Sequence, residues 1–205
     1  MTELWLVRHG ETDWNRQRRV QGMLNIGLND VGRRQALMVA EHLAGVHGGE
    51  AAIDAIHSSD LDRAHDTARP TAERIGLPVT LDAGLRERCY GICQGLTFDE
   101  LGERHPEVAA GVLQRQPDYE PDGGESPRRF QRRVVAALEA IAARRRGARV
   151  LVFTHSGVID MAYRHAAGVP LEAPRPHALT NVSINRLAIG DGGWRILGWA
   201  ETGHV

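Results

Sequence analysis

The run Leu4-Trp5-Leu6-Val7 followed at once by Arg8-His9-Gly10-Glu11-Thr12 constrains this chain more than any other stretch. An unbroken apolar run reads as a strand covered on both faces, which is the condition of strands in a parallel sheet flanked by helices. It stops at a permanent cation, an imidazole and a glycine. Arginine offers a planar array of donors, histidine a nitrogen able to attack, and glycine room for a tight turn, a set suited to capturing a phosphoryl group.

The rest of the chain repeats that rhythm of apolar runs and helical patterns, as crossover units require. Strands are expected over 3–8, 52–57, 78–81 and 149–154, with a C-terminal antiparallel pair at 182–189 and 194–199 turned by Asp191-Gly192-Gly193. Helices are expected over 30–46, 61–75 with a break or kink at Pro70, 98–104, 127–145 and 158–167. The clearest is 127–145: Phe130, Val134, Leu138 and Ile141 share one face, Ser126 caps it, and Pro127 takes the first helical position. Residues 106–127, rich in proline, glycine and acid, read as an irregular surface excursion of the kind that covers active sites. The expected architecture is a three-layer α/β sandwich, a mostly parallel sheet flanked by helices, forming a single domain over 1–205.

Composition narrows the function. A net charge of -1 argues against nucleic-acid binding, and because all 25 basic residues are arginine no lysine chemistry is available. The chain shows no leader-like segment and no run of about 18 apolar residues, so a cytoplasmic, non-membrane protein is expected. Cys89 and Cys93 are too few for a secreted disulfide framework or to supply a four-ligand zinc site. His42 and His47, five apart, fit no helical metal pair, and no metal site is expected.

In open parallel sheets ligands bind beyond the carboxyl ends of the strands. Four strand ends here carry complementary groups. The first delivers Arg8 and His9; the second runs into His57-Ser58-Ser59-Asp60, with Arg63 in the first turn of the helix that follows. After the third comes Leu85-Arg86-Glu87-Arg88, and the fourth ends in Thr154-His155-Ser156-Gly157 at a helix N-terminus, whose free N–H groups favour anions. Together they suffice for phosphomonoester hydrolysis: His9 attacks phosphorus, Arg8, Arg63 and His155 hold the non-bridging oxygens, and Glu87 protonates the leaving oxygen and then activates water. The scheme needs neither metal nor organic cofactor.

At these residues the chain resembles the histidine phosphatase superfamily, also called phosphoglycerate mutase-like. Arg8-His9-Gly10-Glu11-Thr12 with Trp14-Asn15 is similar to its first motif, Ser58-Ser59-Asp60-Leu61-Asp62-Arg63-Ala64 to its second arginine motif, Glu87-Arg88-Cys89-Tyr90-Gly91 through Gln94-Gly95 to its acid-bearing segment, and Thr154-His155-Ser156-Gly157 to its second-histidine motif. The resemblance implies His9 as the phosphorylated residue, Glu87 as proton donor, and Arg8, Arg63 and His155 as phosphate ligands. It implies Asn15, Gln21, Gly22 and Ser156 as further contacts near the phosphate, and places Gly123-Gly124-Glu125-Ser126 near the pocket. Mutases of the family carry a longer insertion after the acid segment and a histidine where this chain has Cys89; here about 30 residues separate Gly95 from Glu125. Those departures favour a phosphatase acting on a small phosphorylated metabolite.

Two other functions compete: a cofactor-dependent phosphoglycerate mutase with the same nucleophile, and a non-catalytic module that only binds phosphorylated ligands. Arg128, Arg129, Arg132 and Arg133 form a basic stripe read as solvated surface or as a contact for an anionic substrate. The loop arginines 16–19 stand where they can influence substrate entry. The apolar C-terminal hairpin presents an edge that can pair with a second copy, so a homodimer is an expectation.

Overall fold

The computed structural model describes residues 1–49 and 52–204; residues 50, 51 and 205 of the expected domain span lie outside the described residues. Strand β1 (Thr2–Arg8) leads through a single turn, α1 (Asp13–Arg16), to α2 (Asp30–His47) and β2 (Ala55–Ser58). Then follow α3 (Asp62–Ile75), β3 (Val79–Leu81), α4 (Phe98–Arg104), α5 (Pro106–Leu113) and α6 (Pro127–Arg144). Strand β4 (Arg149–Thr154), α7 (Ser156–Ala167) and the hairpin β5 (Ile184–Gly190) and β6 (Gly193–Glu201) complete the chain. The sheet order is β3-β2-β4-β1-β5-β6, parallel across its first four strands and antiparallel at β5 and β6.

Period-two alternation in β1 and β4 builds the two cores. Leu4, Leu6, Val150 and Val152 pack on the α6 and α7 side against Phe130, Val134, Leu138, Ile141 and Val158. Trp5, Val7, Leu151 and Phe153 face the other way, onto Val39, Leu43 and Ala68 from α2 and α3. Both central strands are therefore apolar at consecutive positions, and the three-layer arrangement follows directly from that.

Two expectations need correction. The 106–127 excursion is not wholly irregular, since α5 forms over its first part and packs Val108, Ala109 and Val112 against Cys93 and Leu101. Pro106 starts that helix at the position where a missing N–H costs least. Nor does Pro70 break α3, which runs on to Ile75; the carbonyl it leaves unpaired belongs to Asp66, a partly exposed position where water can serve. Among the described residues no helix is long and apolar enough to cross a membrane.

Registry sets up the site. Arg8 lies opposite Thr154, and Ser58 opposite Phe153, so β1, β4 and β2 end level with one another. The pairing continues one residue further: His9 N–H donates to the Thr154 carbonyl at 2.9 Å and Ser59 N–H to the Phe153 carbonyl at 2.9 Å. His9, Ser59 and His155 thus leave the sheet side by side on fixed backbone.

Candidate active site

His9 and His155 lie with ring centroids 5.3 Å apart and planes tilted by 58°. Both rings are almost wholly buried. The His9 Nδ1 sits 2.7 Å from the Gly10 carbonyl, which can only accept, so Nδ1 carries the proton and Nε2 keeps a bare lone pair. Burial, then the neighbouring Arg63 and Arg8 charges, hold the His9 imidazole well below its usual pKa range. At neutral pH the ring is therefore an uncharged nucleophile.

His155 is fixed in the same Nδ1–H tautomer, but by a contact at its other nitrogen. Its Nε2 is 2.9 Å from Ser59 Oγ, which itself accepts from Leu61 N–H at 3.3 Å. The hydroxyl proton is then free to point at Nε2, which leaves the His155 proton on Nδ1, a buried donor with no partner. Burial first, then Arg63 and the other cations around it, keep this ring uncharged as well.

The two guanidinium groups flank the rings. Arg63 is fully buried and donates from Nη2 to the Gly22 carbonyl at 2.7 Å and from Nη1 to the Leu24 carbonyl at 2.8 Å, while its Nε is unpartnered. Arg8 is partly buried; its Nη1 donates to the Leu179 carbonyl and its Nε is likewise unpartnered. Burial lowers each guanidinium to about 10, with Glu87 opposing in both cases, so both stay charged at neutral pH. Unpaired buried donors are rare and costly. Here two of them, Arg8 Nε and Arg63 Nε, belong to residues that line one cavity with His9, and a third, His155 Nδ1, belongs to the ring packed beside His9.

That cavity holds about 180 Å³ and is lined by Arg8, His9, Asn15, Gln21, Gly22, Arg63, Glu87 and Ser156, together with Arg19, Val20, Tyr90 and Phe98. Glu87 enters from the segment after β3: its Oε1 accepts from Arg88 N–H at 2.8 Å and its Oε2 from Gly157 N–H at 3.0 Å at the start of α7. A Cβ at Gly157 would overlap the Glu87 carboxylate, so a larger residue there would push that carboxylate out of its place. Gln21 brings a buried Oε1 without a partner. Asn15 is oriented by a capping box with Thr12, whose N–H donates to Asn15 Oδ1 at 3.1 Å, and Gly22 takes a φ of +54° with the Gln94 side chain packed where a Cβ would be. Eight of the nine residues expected at the site line this cavity, and the ninth, His155, packs its ring against that of His9.

Several contributors were not singled out beforehand. Ser59 sets the His155 tautomer, and Asn181 holds the end of β1 by donating from Nδ2 to the His9 carbonyl at 2.8 Å. Beside it Val182 adopts φ +54°, strained for a β-branched residue by about 1–3 kcal/mol, and is tied to Arg8 by N–H to carbonyl at 3.1 Å. The contacts are 96 to 172 residues apart in sequence, which is why no local pattern announced them. The basic stripe resolves into separate pairs: Arg128 meets Asp118, Arg129 meets Glu120, and Arg133 turns inward to Glu125.

A second space of about 430 Å³ shares the Tyr90 and Phe98 wall with the first. It lies under α5, lined by Val112, Leu113, Phe130 and Met161 with Arg88, Asp160 and Arg175. The buried Asp160 pairs with Arg164 at 3.0 Å and holds the Arg175 Nε at 3.3 Å.

A parallel α/β rim that gathers two neutral imidazoles, two guanidinium groups and a carboxylate defines a phosphoryl-handling protein. Residues 4–202 match the model of the histidine phosphatase superfamily (branch 1), and the chain belongs to that family. It is similar to the metal-independent phosphoserine phosphatase of Arabidopsis thaliana, 39% identical with 100% of this chain and 84% of that protein covered. Phosphoglycerate mutase-like protein 4 of the same plant is also 39% identical, over 99% of this chain and 86% of the relative. Among solved structures, a mycobacterial glucosyl-3-phosphoglycerate phosphatase superposes with a TM-score of 0.83 at 31% identity, covering 98% of this chain and 99% of that one.

Proposed function

We propose that this chain is a metal-independent phosphomonoesterase that passes the phosphoryl group of a small metabolite through a phosphohistidine at His9. The observation that carries the reading is the cavity itself, lined by His9 with its bare Nε2 and by Arg8 and Arg63, each with a buried, unpartnered Nε, with the His155 ring packed against His9. In the first step Nε2 forms a bond to phosphorus as the ester P–O bond breaks, and Glu87 delivers its proton to the departing oxygen. In the second a water attacks the phosphohistidine, Glu87 takes the water proton, and the P–N bond breaks with its electrons returning to Nε2. Arg8, Arg63 and the His155 Nδ1–H hold the oxygens of the transferring group throughout. At an effective dielectric of about 20, each close charge contact of this kind is worth roughly 4 kcal/mol before desolvation.

The leaving group occupies the adjoining 430 Å³ space. Its cationic side, with Arg175 steadied by Asp160, favours an alcohol bearing an anion of its own. The reading is tested with p-nitrophenyl phosphate in the presence of a chelator. Turnover is expected to persist under chelation and to vanish in His9→Ala, with acid-labile, base-stable phosphate on the wild-type chain in rapid-quench labelling. Activity retained in His9→Ala contradicts it.

A mutase reading is favoured by the names of several relatives, among them phosphoglycerate mutase-like protein 4 and the probable phosphoglycerate mutases of Salmonella strains. It uses the same nucleophile and differs in the fate of the phosphohistidine. Conversion of a monophosphoglycerate that rises with a bisphosphorylated primer and frees no inorganic phosphate supports the mutase; release of phosphate supports the phosphatase.

A further inference from the structure

Arg133 stands in the second turn of α6 and lines neither cavity. Each nitrogen of its guanidinium is nonetheless engaged, on the carbonyls of the 84–87 loop and on the Glu125 carboxylate. Nη1 donates to the carbonyls of Gly84 at 3.0 Å and Arg86 at 2.9 Å, and Nη2 to the carbonyl of Glu87 at 3.2 Å. The remaining donors go to a bidentate pair with Glu125, Nε to Oε1 at 2.9 Å and Nη2 to Oε2 at 2.7 Å.

Glu125 closes the other side of the same loop. Its Oε2 accepts from Cys89 N–H at 3.0 Å, its own N–H donates to the Cys89 carbonyl at 2.8 Å, and its carbonyl accepts from Arg88 Nε at 2.7 Å. Burial raises the Glu125 carboxyl, but the hydrogen bonds from Arg133 and Cys89 outweigh it and keep the group ionised. Arg133 and Glu125 therefore grip the backbone immediately before and after residue 87, and from opposite ends of one planar ion pair. The Glu87 side chain projects from the stretch held in this way.

We propose that Arg133, locked by Glu125, is a positioning residue that aims the Glu87 carboxyl at the leaving oxygen. The inference rests on the phosphatase reading above. A planar fork is needed because three carbonyls and a carboxylate must be met in one plane, which a lysine ammonium cannot do. Displacement of an acid by about 1 Å costs on the order of 100-fold in rate, and it costs most where the leaving group depends on the proton.

The test compares kcat/KM for two probes, p-nitrophenyl phosphate, whose phenolate leaves unaided, and glycerol phosphate, whose alkoxide needs the acid. In Arg133→Met, kcat/KM is expected to fall by about 100-fold on glycerol phosphate and by less than about 3-fold on p-nitrophenyl phosphate. Competitive inhibition by inorganic phosphate is expected to stay within about 2-fold, because Arg8, Arg63 and His155 are untouched. Glu125→Gln, which keeps the shape and removes the charge, is expected to show the same split at about 10-fold, and Arg133→Lys to recover only part of the loss. Equal losses on the two esters, in whichever of these variants stays folded by thermal melting, overturn the proposal, as does an undiminished rate on glycerol phosphate. If the unaltered chain hydrolyses neither ester, the phosphatase reading falls first and takes this one with it.

Discussion

At the scale of single residues, the two imidazoles are distinguished by what each ring holds on to. His9 spends its Nδ1 proton on the Gly10 carbonyl and presents a lone pair at Nε2; His155 accepts a hydrogen bond from the Ser59 hydroxyl at Nε2 and presents a donor at Nδ1. Ser59→Ala removes the group that enforces the second arrangement and leaves the His155 Nε2 buried without a partner. The His155 proton can then sit on either nitrogen, and the donor toward the phosphoryl oxygens is lost part of the time. Turnover of p-nitrophenyl phosphate should fall by about 10-fold, within the range of losses that follow removal of support for a donor to transition-state charge. Unchanged kcat in a folded Ser59→Ala would show that Ser59 has no part in setting that donor. The motif residues Arg8, His9, Arg63, Glu87 and His155 were legible in sequence because each stands at or just beyond the end of an apolar run. Ser59 and Asn181 were not, because their partners come from other strands and no spacing encodes them.

At the scale of elements, α6 does two jobs with its two sides. Phe130, Val134, Leu138 and Ile141 are fully buried against β1, β4 and α7 at helical spacing, and this face was readable from periodicity alone. Leu138→Ala should destabilise the fold by about 2–5 kcal/mol, the range for truncating a buried leucine, whereas Arg132→Ala, on the exposed side, should stay within about 0.5 kcal/mol. Urea denaturation of the two variants measures the contrast, and equal midpoints would contradict the assignment of faces. The inward turn of Arg133 from that same basic stripe could not be read, since arginines on a helix are most often solvated and only the loop carbonyls across the gap decide otherwise. Helix α5 escaped for a related reason: Pro106, read as part of a breaker-rich stretch, is a helix start once Leu101 and Cys93 offer Val108, Ala109 and Val112 a surface to cover. Local composition was outvoted by tertiary contact.

At the scale of the whole molecule, the site imposes a pH dependence on folding. The His9 and His155 rings are buried and held well below their usual pKa, and His57, His177 and His204 are lowered as well, burial being the first cause in every case. Above about pH 6.5 folded and unfolded imidazoles are alike neutral, and stability does not depend on them. Below that point the unfolded chain binds protons that the buried His9 and His155 rings refuse, so stability falls as pH falls, by about 1.4 kcal/mol per unit for each of the two and about 3 kcal/mol per unit for the pair. The carboxylates whose pKa is lowered by arginine partners, Asp60 and Glu125 among them, work in a separate window, their contribution being lost only as pH drops below about 4. Urea midpoints between pH 8 and 5 should therefore hold steady down to about 6.5 and then decline, and His9→Asn, which removes one refused proton, should make the decline shallower. A midpoint that stays level from pH 6.5 to 5, or a slope unaltered in His9→Asn, would mean that these rings accept protons in the folded chain, and the uncharged nucleophile on which the chemistry depends would be lost with them.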